Sequence, residues 1–277
     1  MKHNLAVLAR QAGVRRNKAL RPIFMTQEQK KALYALANAS VRAWRKQVSE
    51  RLLPAYGAAM NSLTRDDQAD DLAAILTQVE IVVDGVVITA VAELPDWFRT
   101  AIRWHNVKWV AAVNSAVGID VFPYLDEASQ MARIKAFQNA ATDLIRDVSD
   151  KVKKEISGIV WRGIQQNTPR KEIGKQIADR LNMARRRANL IAIDQANKLS
   201  GELTAIRMEE AGLDKYRWVH SGKVNYREHH KARDGKIYKM GEPAGDQPGW
   251  APYCGCVRAP IVGVEEVNDN EEVRMAA

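Results

Sequence analysis

The sequence predicts an α+β protein that is predominantly α-helical: a helical N-terminal region followed by a helix and a small β C-terminal module. Three observations predict it. Apolar residues recur at helical spacing through most of the chain before Gly212, most cleanly at Ile173, Ile177, Leu181, Ala184, Ala188, Ile191 and Leu199. Strand signals appear only after Ala211-Gly212, at Tyr216-Arg217-Trp218-Val219-His220, at Lys236-Ile237-Tyr238 and from Val257 to Val262. The window from Trp218 to Arg258 holds both cysteines and three of the five histidines, yet no long apolar run. Something besides hydrophobic packing is expected to hold that window together.

Four segments follow in order: a basic arm over 1–25, a helical region over 26–150, the C-terminal module over 151–263 and an acidic tail over 264–277. The arm carries Arg10, Arg15, Arg16 and Arg21 without an acid and ends at Arg21-Pro22, which suits an extended or partly helical segment. Thr26 with Gln29 is a capping-box pattern opening a helix through Trp44 and Leu53, which Pro54 is expected to end. An acidic break around Asp66, Asp67, Asp70 and Asp71 follows. From Val79 to Thr89, β-branched residues around Asp84-Gly85 fit either a hairpin or a glycine-interrupted helix. Helical patterns on both sides favour the helix. Leu94-Pro95-Asp96 is read as the start of another helix, carrying Trp97 and Trp104 one heptad apart on an expected core face. Gly118 to Pro123 reads as a loop, with helices from Asp126 to Val160. Asn167-Thr168-Pro169 opens the last long helix, which Ala211-Gly212 caps.

At 277 residues there is material for one large or two ordinary domains, and 46% hydrophobic with 27% charged residues is a soluble globular balance. No continuous apolar run reaches the roughly 20 residues of a membrane span, and the apolar stretch after Met1 is short for a secretory signal. A reducing cytoplasm is therefore expected, where Cys254 and Cys256 are free thiols or metal thiolates rather than a strained disulfide. The net charge of +9 suggests a polyanionic partner, unless it serves solubility alone. Arg15 and Arg16, with Arg180, Arg185 and Arg186, are candidate phosphate contacts or simply solvated faces. No aromatic residues interleave them, so DNA binding there is expected to be independent of sequence.

Trp218, Arg227-x-x-His230, the Asp234-Gly235 turn, a proline-rich approach and Cys254-x-Cys256 ahead of Pro260 together resemble the phage Mu F-like minor head proteins, the phage head morphogenesis family. Arg187-Ala188, Ile191-Ala192 and Asp194 on the preceding helix resemble it too, and the similarity extends loosely back to about residue 100. The family usually has an acid near position 223 and an arginine between the cysteines; here Lys223 and Gly255 stand there. The resemblance implies a structural minor capsid protein of a tailed bacteriophage, acting in procapsid assembly at the portal or inner shell. Its implied partners are a portal protein, a major capsid or scaffold protein, and packaged double-stranded DNA bound non-specifically, with no membrane involved. The implied location is the virion head or portal vertex, and the host cytoplasm during assembly. It implies no enzymatic activity.

His230, Cys254 and Cys256, with His229 or His220 as a fourth, form a candidate structural zinc site. Buried thiols beside a hydrogen-bonded histidine are the plainer reading. A metal-dependent nuclease using His229, His230 and Asp234 is the alternative from another class, with Asn225 the nearest extra ligand. Asp234-Gly235 is more simply a hairpin turn between Arg233 and Lys236-Ile237-Tyr238. Arg187 and Asp194, seven residues apart, share a helix face and are expected to orient the module through buried hydrogen bonds, with Arg227 a partner for Asp194.

Overall fold

The computed structural model describes residues 3–61 and 65–264. Its elements are α1 (Leu5–Gln11), β1 (Lys18–Ala19), α2 (Gln27–Ala37), α3 (Ala39–Gln47), α4 (Leu53–Asn61), α5 (Arg65–Val117), α6 (Glu127–Arg133), α7 (Lys135–Gln165), α8 (Arg170–Glu210), β2 (Lys215–Val219), α9 (Glu228–Lys231), β3 (Ile237–Lys239) and β4 (Val257–Val262). The protein is thus predominantly helical α+β, with one small antiparallel sheet. The acidic residues of the expected tail, Glu265 to Glu272, lie outside the described residues. The described chain forms two compact units. One comprises the residues up to Thr26, Arg99–Lys135 and those from Ala196; the other comprises Gln27–Phe98 and Ala136–Gln195. Because α5 and α8 each run through a boundary, these units do not follow the sequential division at 150.

The second unit is all helical. Along α5, Leu72, Leu76, Val79, Val83, Val87, Ala90 and Leu94 are buried, at steps of three and four. That spacing is a helix stripe, and it resolves the stretch around Asp84-Gly85 as helix, because a hairpin would bury every second residue instead. Its first four members, Leu72 to Val83, share a core with Val148, Val152 and Ile156 of α7 and with Ile173, Ile177 and Leu181 of α8. Lys153 reaches across to Glu80 at 3.2 Å and Asp84 at 3.4 Å, so the acids of this apolar stretch are paired.

Two proline expectations are corrected. Pro54 does not end a helix: a π-helical turn at Val48–Leu52, closed by the Leu53 N–H on the Val48 carbonyl, leads directly into α4. Proline in that first turn lacks an N–H only where the helical ladder is already being re-registered. Nor does Pro95 start a helix, for it lies inside α5. Leu94, Trp97 and Phe98 stay buried on either side of the exposed proline, and this packing outweighs the lost hydrogen bond. A third correction concerns hydropathy. Within the described residues, α5 from Asp70 to Val117 is long and apolar enough to cross a membrane by length and composition. The expectation of no such segment counted unbroken apolar runs, which Glu80 and Asp84 interrupt.

In the first unit the sheet order is β1-β4-β2-β3, all antiparallel, with Trp218 opposite Arg258 and Val219 opposite Val257. The expected arm is built into this unit. Asn4 caps α1, the Leu5 N–H donates to the Ala211 carbonyl at the end of α8, and Lys18 and Ala19 pair with Val262 and Ile261. Leu5, Ala9 and Leu20 share a core with Trp109 and Val113 of α5 and with Tyr216 and Trp218 of β2. The end of α8 follows the expected cap: Gly212 has φ +67°, and the Leu213 N–H reaches back to the Met208 carbonyl.

The helical reading of residues 79–89 makes a direct prediction. Gly85 is exposed, and a Cβ there meets nothing within 4 Å. Gly85→Ala is expected to stabilise the protein by about 0.5–1 kcal/mol, read by denaturant unfolding; a loss of stability contradicts this geometry.

Candidate functional site

The site is assembled by three short pieces of the first unit. Arg227, in extended conformation, starts the single turn α9, and its carbonyl accepts from the His230 N–H. The chain then turns through Asp234-Gly235 into β3. Gly235 has φ +79°, which glycine adopts without strain, and the Asp234 carboxylate accepts the His220 N–H at 2.8 Å. Asp234 is thereby occupied as a turn residue between α9 and β3. The third piece is the Cys254-Gly255-Cys256 loop before β4, tied to α8 by the Asn197 side-chain amide on the Cys254 carbonyl at 3.2 Å.

His230 is the centre of the arrangement and is buried. Its Nδ1 lies 3.4 Å from Cys254 Sγ and 3.8 Å from Cys256 Sγ, while its Nε2 lies 3.0 and 3.2 Å from the two oxygens of Asp246. Arg233 donates to the same carboxylate and lays its guanidinium over the Trp218 ring, 5.2 Å from the centroid. Trp218, itself buried, stands edge-on to the His230 ring at 5.1 Å. The sequence thus named His230, Cys254, Cys256 and Trp218, and the structure brings those four together. Asp246 and Arg233 were missed, since a lone acid in a Gly-Asp-Gln-Pro loop and one arginine among many carry no motif.

Electrostatics follow from this packing. A hydrogen bond from the Cys256 thiol, opposed by burial and helped by backbone N–H groups, brings the Cys254 thiol down to about 5. The Cys256 thiol is pushed up, first by that shared bond and then by burial. Burial alone raises a carboxyl, but hydrogen bonds from Arg233 and His230 hold Asp246 below its ordinary value. The Trp218 indole N–H is directed at the Cys256 sulfur without closing a regular hydrogen bond.

The other expected residues are dispersed. His229 is exposed and its Nε2 faces Asp246 at 3.2 Å, away from the thiol group. His220 Nδ1 accepts from the Gly222 N–H. Arg227 donates to the Pro252 carbonyl at 3.1 Å, bracing the approach to the cysteines. Arg187 is not a buried orienting group: it is half-exposed and pairs with Asp147 of α7 at 2.8 Å. Asp194 is buried and accepts from Gln195. Arg15, Arg16, Arg180, Arg185 and Arg186 are all exposed. Arg258, buried opposite Trp218, donates to the Gly201 carbonyl at 3.0 Å and to the Gln247 side chain, and so ties β4 to α8. Gly255 has a steric cause, for a Cβ there would meet Ser221 Cβ at 2.9 Å and Lys223 Cε at 3.0 Å. The Lys223 stem fills the space beside that glycine and its ammonium donates to the Tyr253 carbonyl.

Asp246 gives a pH-dependent prediction. With a folded-state pKa depressed below its unfolded value of about 3.9, it contributes stability in full above that value and loses it as pH falls through the folded one. Asp246→Asn is expected to cost about 2 kcal/mol at neutral pH, a deficit that closes in acid because only the wild type then loses the ion. A deficit unchanged in denaturation series down to about pH 3 contradicts the role given to this carboxylate.

An uncharacterized protein of Haemophilus influenzae is 29% identical over 164 residues, covering 58% of this chain and 36% of its own length. The chain therefore spans about a third of that relative. No solved structure matches. Residues 154–259, which contain α8 and the whole thiol, histidine and carboxylate cluster, match the family model described as Phage Mu protein F like protein.

Proposed function

We propose that the protein is a structural component of phage head morphogenesis, a minor head protein that acts during procapsid assembly at the portal or inner shell. The match of residues 154–259 to the Mu F-like family carries this reading. The geometry supports it: the groups that look reactive in the sequence are spent on holding the fold. Asp234 caps a turn, Arg227 braces the cysteine approach, and His230 is buried between thiols and a carboxylate. Its partners in this role are a portal protein and a capsid or scaffold protein. Contact with packaged DNA is proposed through exposed Arg180, Arg185 and Arg186 on α8, and through Arg15 and Arg16 between α1 and β1.

Two measurements test this. Deleting the chain from the phage genome that carries it is expected to yield aberrant or empty heads by electron microscopy, and purified heads are expected to contain it in few copies by mass spectrometry. Normal heads and full titre without the chain rule the role out. Duplex-DNA affinity is expected to fall on the order of tenfold or more between about 50 and 200 mM salt, through released counterions, and to fall again in Arg180→Ala/Arg185→Ala/Arg186→Ala. Affinity indifferent to salt contradicts the phosphate contacts.

A further inference from the structure

We propose that Cys254, Cys256 and His230 Nδ1 bind a tetrahedral zinc-class cation, a water molecule completes the coordination, and Asp246 with Arg233 fixes the imidazole from behind. In a tetrahedral centre with nitrogen at about 2.0 Å and sulfur at about 2.3 Å, the two ligand atoms stand about 3.5 Å apart. The observed separations of 3.4 and 3.8 Å from Nδ1 to the two sulfurs bracket that edge. All three ligand atoms lie within 4.8 Å of one another, so a single ion reaches them together.

The surroundings are those of a metal histidine. A ligating imidazole ordinarily donates its other N–H to a carboxylate, which fixes its tautomer and direction. Here Nε2 faces Asp246 at 3.0 Å, and Arg233 holds that carboxylate in turn. The buried Trp218 N–H has no oxygen or nitrogen acceptor and points at Cys256, where a metal-bound thiolate would supply one. Two sulfurs and an imidazole are soft and borderline ligands, which select zinc over magnesium or calcium. His230, Cys254 and Cys256 are only 2, 4 and 3% exposed, so the ion is enclosed and acts as a clasp between α9 and the loop before β4. Among the described residues no further histidine, cysteine or carboxylate joins these three. His229, expected as a fourth ligand, belongs instead with Asp246, where the Arg233 guanidinium already supplies the positive charge. The ion closes the module whether or not the chain acts in head assembly, so this inference and the proposed function fail separately.

The test uses the full chain, thiol-reduced, stripped with chelator and titrated with Co²⁺ alone. Thiolate-to-cobalt charge-transfer absorption is expected to saturate at about one ion per chain, to vanish on adding Zn²⁺, and to fall sharply in both Cys254→Ser and Cys256→Ser. Asp246→Asn keeps the ligands and is expected to leave the bands unchanged while weakening affinity on the order of ten- to a hundredfold. No charge-transfer absorption in the wild type overturns the proposal, and so does absorption of equal intensity in both cysteine variants. The wild-type titration decides alone if either variant fails to fold.

Discussion

The C-terminal module depends on one histidine having both ring nitrogens committed. His230 turns Nδ1 to the two thiols and Nε2 to Asp246, so it links the short turn α9 with the loops on either side of Trp250. These segments have little apolar surface to fix them. Ile237 and Trp250 are exposed, and β3 is only three residues long. In so thin a structure, a buried imidazole between sulfur and carboxylate supplies the direction that hydrophobic packing, which is non-directional, does not.

The long helix α8 gives this module its floor. Its last five turns carry the buried side chains Leu199, Leu203 and Ile206, and polar groups among them reach out to fixed points. Asn197 bonds the Cys254 carbonyl, Gly201 offers its carbonyl to Arg258, and Ser200 donates to the Ile23 carbonyl of the N-terminal segment. Deeper in the same unit, burial presses the His105 imidazole down to about 3, which keeps it neutral as it meets Thr204 at 3.2 Å. Arg207, wholly buried, is matched by Asn106 and Glu210. The terminal nitrogens of Arg207 and the Nε2 of His105 thus meet named partners, as burial of polar groups favours.

Much of this was legible in the sequence where the signal was local. The cap at Ala211-Gly212 and the three C-terminal strands follow from backbone preferences that need no tertiary information, whereas the turn at Asp234-Gly235 joins α9 to β3 instead of closing the expected hairpin. The grouping of His230 with Cys254, Cys256 and Trp218 was legible because those residue types are rare in the chain and crowd one window. Prolines misled at Pro54 and Pro95, because a π turn and a continuous buried face override a single missing N–H. The strand at Lys18–Ala19 was not legible, since two residues on a sheet edge have no period to read. Asp246 was not legible either: what makes it part of the site is its distance from His230, and distance across 16 residues of loop is a property of the fold.

The most direct measurement of the central claim is the tautomer of His230, read from long-range ¹H–¹⁵N correlations of its ring in the labelled protein near neutral pH. In the zinc-loaded protein, with Asp246 behind the ring and the ion between Nδ1 and the sulfurs, the ring is expected to carry its proton on Nε2 and leave Nδ1 to the metal. A ring protonated at Nδ1 with Nε2 bare contradicts the arrangement on which the module, and the metal site proposed for it, both stand.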